Sequence, residues 1–472
     1  MSTEPVRTER DSMGEMEVPA RAYYGASTQR AVVNFPISQL RLPRRMIEAL
    51  GALKREAASV NLELGLLSPE RSEAISRAAD EVARGMFDAE FVVDIFQTGS
   101  GTSSNMNANE VIANRALELL GAERGDRATV HPNDHVNLGQ SSNDIFPTAI
   151  HLAALAALRE DLVPALTRLA ASLERQRDQL WPVIKTGRTH LQDATPIRLG
   201  QEFEGYRGQI ERALSRLEAA RAQLSELALG GTAVGTGIGS HPEFAGRVVA
   251  RLAPHYDPQL RETDNHFQAQ ATLDAVVFTS GAVRSTAISL HKVANDIRLL
   301  SCGPRAGLAE LSLPEVQPGS SIMPGKVNPV ICESLLMVVA QVLGCDATVA
   351  FAGTAGSLLE LNVMLPVAAH NLLLEIGLLA NAAANFSDRA VDGLVATDRG
   401  PKLLEQGLAI CTGLVPAIGY DAAAAIAHEA FLSNRTVREV ALQVSGLKAA
   451  EIEQLLDPER QVLPTLAAPT TP

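Results

Sequence analysis

The amino-acid sequence predicts a mainly α-helical protein. Aromatic residues make up only 4% of the 472 residues, and alanine and leucine, which favour helix packing over sheets, are abundant. In the middle of the chain, apolar residues recur at steps of three or four, which is the spacing of an amphipathic helix. Short glycine-rich breaks separate these stretches, as expected for long helices packed antiparallel in a bundle.

Composition and charge exclude several classes of protein. Hydrophobic residues make up 46% and charged residues 20% of the chain, which is too apolar for a disordered protein. The 54 acidic and 41 basic residues leave a net charge of −13, so nucleic acid is not an expected partner. The sequence lacks both a run of roughly 18 apolar residues and an apolar signal segment. We therefore expect a cytoplasmic protein with no membrane partner.

Cysteine spacing argues against a bound metal cluster. None of the four cysteines is part of a CxxC pair, the spacing that is typical of thiol-ligated zinc and of iron–sulfur clusters. A disulfide framework is equally unexpected in a chain of this length. The four residues are Cys302, Cys332, Cys345 and Cys411.

The patterns divide the chain into three parts. Residues 1–140 contain shorter segments, including a predicted helix over 106–120, and residues 397–472 contain several short alanine-rich helices. Residues 141–396 form the expected central bundle. Its apolar stripes are wider than neighbours in one chain would cover, so we expect subunits to associate through them. Pro164 is expected to bend the first long helix rather than end it, because the leucine spacing continues beyond it. The predicted long helices cover 155–180, 210–224, 288–300 and 334–349.

Two polar segments in the first half of the chain have the features of anion sites. Ser100, Gly101 and Thr102 lead into a predicted helix, whose free backbone N–H groups would bind a carboxylate. An ordinary helix cap on a flexible loop is the alternative. Residues 141–143, Ser-Ser-Asn, precede a helix predicted to begin near Pro147, where they can cap it and donate to a carboxylate.

The segment from His131 to Asn137 also invites interpretation as a metal site. It holds two histidines and an aspartate within five residues. Pro132 and the irregular spacing of these side chains favour a turn over a rigid chelate. No metal is therefore predicted here.

Two further segments supply groups that can move protons. His190 lies in a polar interruption between helical patterns, and an imidazole exchanges a proton near neutral pH. Residues 319–329, with two glycines and two prolines, describe a mobile loop that can close over a substrate. A serine in this loop becomes a usable base only if backbone N–H donors and a cation such as Lys326 stabilise its alkoxide.

The loop sequence GSSIMPGKVNP resembles the signature of the aspartase/fumarase superfamily, and the whole set of segments resembles the class II fumarases. The similarity extends to MGEMEVPARAYYGASTQRAVVNFPIS near the N-terminus and to LNVMLPVAAHNLL. It implies a three-domain subunit whose long central helices assemble into a tetrameric core, with each active site shared between three subunits. It also implies reversible anti addition of water to fumarate, giving L-malate through an aci-carboxylate, in the tricarboxylic acid cycle. No metal or organic cofactor is implied.

The resemblance also implies roles for individual residues. Ser320 matches the family's base, His190 the residue that acts through a bound water, and Glu333 the partner of that histidine. A second dicarboxylate site matches His131, Asn133 and Asp134, although the arginine that relatives often carry three residues earlier is replaced by Ala128, with Arg127 one position further back. The residues that match the substrate-binding set are Ser100, Gly101, Thr102, Ser141, Ser142, Asn143, Thr189, Ser321, Lys326, Val327 and Asn328.

Details of the sequence favour water as the leaving group. Gly325 precedes Lys326, as in fumarases, whereas aspartases more often carry alanine there. Residues 236–244 also resemble the fumarase form of that turn. Aspartate ammonia-lyase is the alternative activity, with which the segment Tyr23-Tyr24-Gly25 is shared. A helical scaffold without activity is a third possibility, against which the intact catalytic set argues.

Overall fold

Helices dominate the structure, as the sequence predicts. The computed structural model describes residues 5–464. Three π-helical turns, Pro132–Val136, Leu158–Leu162 and Ser387–Val391, and two 3₁₀ turns, Asp88–Glu90 and Ala409–Leu414, interrupt or extend the helices. The α-helices are α1 (Ala26–Asn34), α2 (Arg44–Glu63), α3 (Pro69–Ala83), α4 (Thr102–Leu119), α5 (Ser142–Ala157), α6 (Val163–Leu180), α7 (Leu199–Leu224), α8 (Phe244–Leu252), α9 (His266–Ala271), α10 (Asp274–Leu300), α11 (Val330–Ala355), α12 (Leu365–Phe386), α13 (Arg399–Gln406), α14 (Val415–Ile418), α15 (Tyr420–Ser433), α16 (Val437–Val444), α17 (Ala449–Leu455) and α18 (Pro458–Gln461).

The strands are short and form only two-stranded sheets within the described residues. Four pairs are antiparallel, namely β1–β2, β3–β4, β8–β9 and β7–β10, whereas β5 and β6 run parallel. The strands are β1 (Val6–Asp11), β2 (Gly14–Pro19), β3 (Ile184–Thr189), β4 (Gln192–Arg198), β5 (Glu226–Leu227), β6 (Arg261–Glu262), β7 (Leu311–Ser312), β8 (Ser357–Leu358), β9 (Leu361–Asn362) and β10 (Val395–Ala396).

Pro164 interrupts the helical hydrogen bonds without ending the helical path. The π-helical turn Leu158–Leu162 joins α5 directly to α6, and the N–H of Val163 bonds to the carbonyl of Leu158, five residues earlier. Proline has no N–H to donate, and a π-turn is a common way to absorb such a break. The leucine spacing therefore continues from α5 into α6, as the sequence predicts.

The predicted helix starts are wrong by several residues. Helix α4 begins at Thr102 and not at residue 106, and α5 begins at Ser142 and not near Pro147. Pro147 lies in the second turn of α5, where it cannot donate to the carbonyl of Asn143. The other long helices also begin earlier than their apolar patterns, at Leu199, Asp274 and Val330.

The chain divides into two compact units, and five helices contribute residues to both: α6, α7, α10, α11 and α12. The first unit comprises residues up to 164, 214–287 and 339–381, and the second comprises 165–213, 288–338 and the residues from 382 onward. The three-part division at 140 and 396 stays a prediction.

In the first unit, α2 packs closely against α3. A Cβ on Gly51 would lie 2.6 Å from the backbone nitrogen of Ala83, so only glycine permits this approach. Leu50 and Leu53 of α2 are fully buried. In the second unit, the short C-terminal helices surround a core that includes Ile426, Val440, Ile452 and Leu456.

Helices α11 and α12 are unusually apolar. The stretches Val330–Ala355 and Leu365–Val391 reach mean hydropathies of 1.9 and 1.4, and by length and composition alone each could cross a membrane. Both also carry acidic residues: α11 carries Glu333 and Asp346, and α12 carries Glu375, whose side chain is fully buried. Such residues are expensive in a bilayer.

Candidate active site

The predicted site residues fall into one group in each unit. The first unit holds the segments around Ser100, His131 and Ser141, and the second holds those around His190 and Ser320. Each group is built on a turn or on a helix start, where backbone N–H groups are free to bind an anion.

Ser100, Gly101 and Thr102 form a tight turn at the start of α4. Gly101 has φ = 75°, and a Cβ there would lie 2.4 Å from the ring of Phe146, so both the conformation and the space require glycine. The Ser100 and Thr102 hydroxyl oxygens are 2.8 Å apart. This turn therefore presents two hydroxyls beside the N–H groups of Thr102 and Ser103, whereas the N–H of Ser104 donates to Gln97 Oε1 at 2.9 Å.

Ser141, Ser142 and Asn143 form the start of α5, which is closed by a capping box. The Ser141 hydroxyl accepts the N–H of Asn143 at 3.3 Å, and the Asp144 carboxylate accepts the N–H of Ser141 at 2.9 Å. Asp144 also accepts the N–H groups of Gly230 and Thr232, at 3.1 and 3.0 Å. Burial raises the pKa of Asp144, and these backbone donors oppose that effect.

The side chain of Asn105 links the two helix starts. Its amide nitrogen donates to the Ser142 hydroxyl at 2.9 Å and to Asn137 Oδ1 at 3.2 Å. Asn105 is buried on α4, one turn after Thr102. The segments around Ser100 and Ser141, separated in sequence, are thus brought together in the first unit. The sequence analysis did not identify Asn105 or Asn137 as part of this arrangement.

His190 lies at the tip of a β-hairpin, which the sequence analysis did not predict. Strands β3 and β4 pair antiparallel, and the two residues between them, His190 and Leu191, have φ values of 56° and 59°. Glycine or asparagine usually occupies such positions, because other residues are strained there by roughly 1–2 kcal/mol. This strain and the exposure of the imidazole suggest that the tip is shaped for function rather than stability.

A buried ionic network supports the base of this hairpin. Glu310 binds Arg188 of β3 at 2.7 Å and Lys185 of β3 at 3.2 Å. Lys185 also binds Glu202 of α7 at 2.8 Å. The side chains of Lys185 and Glu310 are each 1% exposed, so both charges depend on their partners. The network holds β3, and hence His190, against the rest of the second unit.

Ser320 is hydrogen-bonded within its own loop. Its hydroxyl oxygen accepts the backbone N–H of Met323 at 2.8 Å and that of Ile322 at 3.2 Å. These donors would stabilise the oxygen more strongly after it loses its proton, because hydrogen bonds to a charged acceptor are stronger. The sequence analysis required such donors for a serine base, and the loop supplies them.

The rest of the loop is closed by contacts between its two ends. The Asn328 side chain donates to the carbonyl of Gly319 at 2.6 Å, and the N–H of Gly319 donates to the carbonyl of Lys326 at 2.8 Å. Gly325 has φ = 76°, which suits glycine at this turn. The side chains of Ser321, Lys326 and Val327 are exposed in the single chain.

His190 and Glu333 are not paired within one chain. Both side chains are exposed, and over residues 5–464 no ion pair or hydrogen bond joins them. The pairing that the family resemblance implies therefore stays a prediction. It would require a second copy of the chain or a movement of the loop.

His131 and Asn133 line a cavity of about 240 Å³ in the first unit. His131 Nδ1 accepts the N–H groups of Asn133 and Asp134, both at 3.1 Å, so the neutral ring carries its proton on Nε2. Arg127 Nη1 lies 3.5 Å from that Nε2. Burial lowers the pKa of His131, Asp134 opposes this, and Arg127 adds to it. Arg127 lines the same cavity, whereas Asp134 is not part of its lining.

The histidine, cysteine and acidic side chains of the described residues are dispersed. Over residues 5–464, no group of three or more histidine, cysteine, aspartate or glutamate side chains is arranged to hold a metal ion. His131, His135 and Asp134 are used instead in the local turn, where His135 Nδ1 accepts the N–H of His131 at 2.8 Å.

Comparison with known proteins places these segments in a family context. Residues 14–344 match a family model described as lyase, and residues 410–461 match one described as fumarase C C-terminus. The fumarate hydratase class II of Halobacterium salinarum is 55% identical over 458 residues, which cover 97% of each chain.

Two solved structures are similar over almost the whole chain. The recombinant class II fumarase from Schistosoma mansoni is 39% identical, with a TM-score of 0.94 over 97% of this chain and 99% of that one. The fumarate lyase:delta crystallin from Brucella melitensis bound to cobalt is 46% identical, with a TM-score of 0.93 over 98% of this chain and 100% of that one.

Proposed function

The chain belongs to the class II fumarate hydratases, lyases that add water reversibly to fumarate to give L-malate, and we propose that Ser320 and His190 transfer the protons in this chain. The related sequences that cover nearly the full length are named fumarate hydratases. They do not favour aspartate ammonia-lyase, the alternative activity. What remains to be assigned is the role of each residue.

Ser320 is the base that removes the C3 proton of L-malate. The supporting observation is the pair of backbone N–H groups, from Ile322 and Met323, that its hydroxyl oxygen accepts. As an alkoxide, this oxygen would keep both hydrogen bonds, and each bond would become stronger because its acceptor is charged. Removal of the C3 proton leaves a carbanion whose charge spreads into the adjacent carboxylate as an aci-carboxylate, and that dianionic group needs its own donors.

The donors for the substrate carboxylates come from both groups of residues. In the first unit we assign Ser100, Gly101 and Thr102 with Ser141, Ser142 and Asn143, because they lie at the two linked helix starts. In the second unit we assign Thr189, Ser321, Lys326, Val327 and Asn328, which flank His190 and Ser320 in sequence. Lys326 supplies the positive charge that a developing dianion requires.

His190 protonates the departing hydroxyl through a bound water, and it activates water in the reverse direction. The anti addition that the family resemblance implies requires Ser320 and His190 to act from opposite sides of the substrate. Glu333 orients the imidazole and stabilises its charged form. In the single chain His190 and Glu333 are both exposed and unpaired with each other, which supports a Glu333 contributed by another copy.

We propose a homotetramer whose active sites are each shared between three subunits. Large apolar side chains exposed on the long helices support this, since Met337 of α11 is 69% exposed and Phe351 is 62% exposed. Soluble monomers rarely leave large apolar patches open to solvent. On this proposal α11 and α12 are covered by other copies rather than by lipid, and the enzyme is cytoplasmic. The separate match of residues 410–461 supports a distinct C-terminal part after residue 396.

We also propose that the cavity beside His131 binds a second dicarboxylate. Arg127 and the Nε2–H of His131 both face an anion there as donors, and Asn133 lines the same cavity. This site is separate from the helix starts at Ser100 and Ser141 and has no assigned part in the proton transfers.

Complementation between inactive variants tests the shared site. Asn143→Ala and Ser320→Ala are each expected to lose activity, while a mixture dissociated and reassembled together should recover it. If each site draws Asn143 and Ser320 from different copies, about a quarter of the sites in an equal mixture combine both intact residues, as random assembly of a symmetric oligomer requires. Unmixed variants treated in the same way are the control. No recovery after confirmed co-assembly would show that both residues come from one subunit.

A substrate test separates hydration from deamination. Purified protein is added separately to L-malate and to L-aspartate, and the ultraviolet absorbance of fumarate is followed. We expect the absorbance to rise with L-malate alone. A rise with L-aspartate alone would refute the assignment of water as the leaving group.

A further inference from the structure

Lys54 lies in an environment that a lysine rarely occupies. It is on the inner face of α2, one turn after Leu50, and its side chain is 0% exposed. Burying an ammonium group costs several kcal/mol unless its donors are used, and lysine is almost never fully buried without partners. The residue therefore needs an explanation other than packing.

The partners of Lys54 belong to the segment that leads into α5. Its ammonium donates to Asn137 Oδ1 at 2.8 Å and to Gln140 Oε1 at 2.9 Å. Both acceptors are neutral amides, so no carboxylate takes up the charge by direct contact. Asp144 is the charged group that acts on Lys54 from α5, and its own carboxylate is occupied by three backbone N–H groups, those of Ser141, Gly230 and Thr232.

Asn137 extends this contact to both helix starts. Its Oδ1 accepts Asn105 Nδ2 and Asn109 Nδ2, each at 3.2 Å, in addition to Lys54. Asn105 Nδ2 in turn donates to the Ser142 hydroxyl at 2.9 Å. Two side chains, Asn137 and Asn105, thus separate the ammonium of Lys54 from the hydroxyl of Ser142. The network ties α2, α4 and the start of α5 together.

We propose that Lys54 is a positioning residue for the substrate, which holds Asn137 and Gln140 so that the helix starts at Ser100–Thr102 and Ser141–Asn143 form one anion-binding surface. Its charge lies behind that surface and adds to the attraction for a carboxylate. The inference rests on the proposed function, which assigns these helix starts to the substrate. Lys54 does not touch the reacting atoms, so its effect is on binding.

The charge on Lys54 makes this effect depend on pH. Burial lowers the pKa of Lys54 to about 7, and Asp144 partly opposes the shift. The ammonium is charged below that pH and neutral above it. Binding of a dicarboxylate favours the charged form, so above pH 7 the protein should take up a proton when the dicarboxylate binds.

The experiment compares Lys54→Met and Lys54→Arg with the wild-type enzyme and with Lys448→Met, in which an exposed lysine is removed. For Lys54→Met we expect KM for fumarate to rise roughly tenfold, because the variant loses both the positive charge behind the anion-binding surface and the hydrogen bonds that hold Asn137 and Gln140. We expect kcat to change little, because the charge and hydrogen bonds of Lys54 act equally on bound substrate and transition state. Lys54→Arg should keep much of the wild-type affinity for fumarate. Because arginine stays charged, this affinity should not fall above pH 7. Lys448→Met should behave as the wild type.

A calorimetric measurement on the wild-type enzyme covers the case in which the variants do not fold. Succinate, a dicarboxylate that cannot be hydrated, is titrated at pH 7.5 in two buffers with different ionisation enthalpies, which reports the protons taken up on binding. We expect uptake of a fraction of a proton, and none with Lys54→Arg. Absence of proton uptake by the wild type would overturn the inference.

Asn143→Ala keeps the two proposals distinguishable. If Asn143→Ala raises KM while folded Lys54→Met leaves it unchanged, the inference about Lys54 is wrong and the proposed site stands. If both variants keep the wild-type KM, the assignment of the helix starts to the substrate is itself wrong.

Discussion

Replacing Ser320 by alanine is the most direct test of the proposed chemistry. The two backbone N–H groups that reach its oxygen, at 2.8 and 3.2 Å, each contribute about 1.5–3 kcal/mol to a charged acceptor. Together they stabilise the alkoxide by roughly 3–6 kcal/mol, where about 1.4 kcal/mol corresponds to a factor of ten in rate. Loss of a general base alone lowers rates by about 10²–10⁴. We therefore expect Ser320→Ala to lower kcat for L-malate by about 10²–10⁴.

The assay follows fumarate absorbance with saturating L-malate, and gel filtration checks that the assembly is unchanged. Ser321→Ala is the matched control, because it removes a neighbouring hydroxyl that we assign to substrate binding. It should raise KM and leave kcat within a small factor. The reasoning is refuted if Ser320→Ala keeps kcat within about tenfold of the wild-type value, since loss of a base cannot be that mild.

Three further changes test the structure around the site. Gly101→Ala should lower the free energy of unfolding by about 2–5 kcal/mol, because the cost of a left-handed conformation adds to the cost of a clash with Phe146. A melting temperature equal to that of the wild type would contradict this. Glu310→Gln should lower the free energy of unfolding by about 1.5–3 kcal/mol, since Lys185 and Arg188 lose a charged partner while Lys185 keeps Glu202, and urea unfolding measures the loss. Burial raises the pKa of Glu375 to about 9, so its contribution to stability is present below about pH 4.5 and is lost as pH rises toward 9. Glu375→Gln should therefore raise the melting temperature at pH 8 and not at pH 4.5, whereas equal shifts at both pH values would disprove the raised pKa.

The long helices could be predicted because their apolar faces repeat over many residues. Their starts could not, because the first turn of a helix is capped by polar residues that carry no periodic signal. Thr102 and Ser142 illustrate this: each begins a helix several residues before the first apolar position that the pattern counts. The same polar residues form part of the proposed site, so the helix starts that were misplaced are those we assign to the substrate carboxylates.

The hairpin at His190 was missed for a different reason. Its two turn residues, His190 and Leu191, have positive φ values that local sequence preferences oppose. Thr186, Thr189, Thr195 and Ile197 are residue types that favour strands, but neither turn residue is glycine or asparagine. A turn imposed by the rest of the structure cannot be predicted from the residues that form it.

The site itself was partly visible in the sequence. His190 and the two helix starts lie in short polar segments that local patterns select, whereas the choice of Ser320 over Ser321 came from the family resemblance. Lys54 was not selected, because its role depends on contacts with Asn137 and Gln140, more than eighty residues away. One signal was present: Lys54 falls on the same face of α2 as the buried Leu50.

The hydrogen bonds to Ser320 also determine which substitutions in the loop can be tolerated during evolution. Both donors are main-chain N–H groups, of Ile322 and Met323, so their side chains can be exchanged without weakening the base. Proline is the exception at either position, because it has no N–H. The loop can therefore acquire new side chains toward a different substrate while the proposed base keeps both donors. One catalytic device can in this way serve enzymes that release different leaving groups.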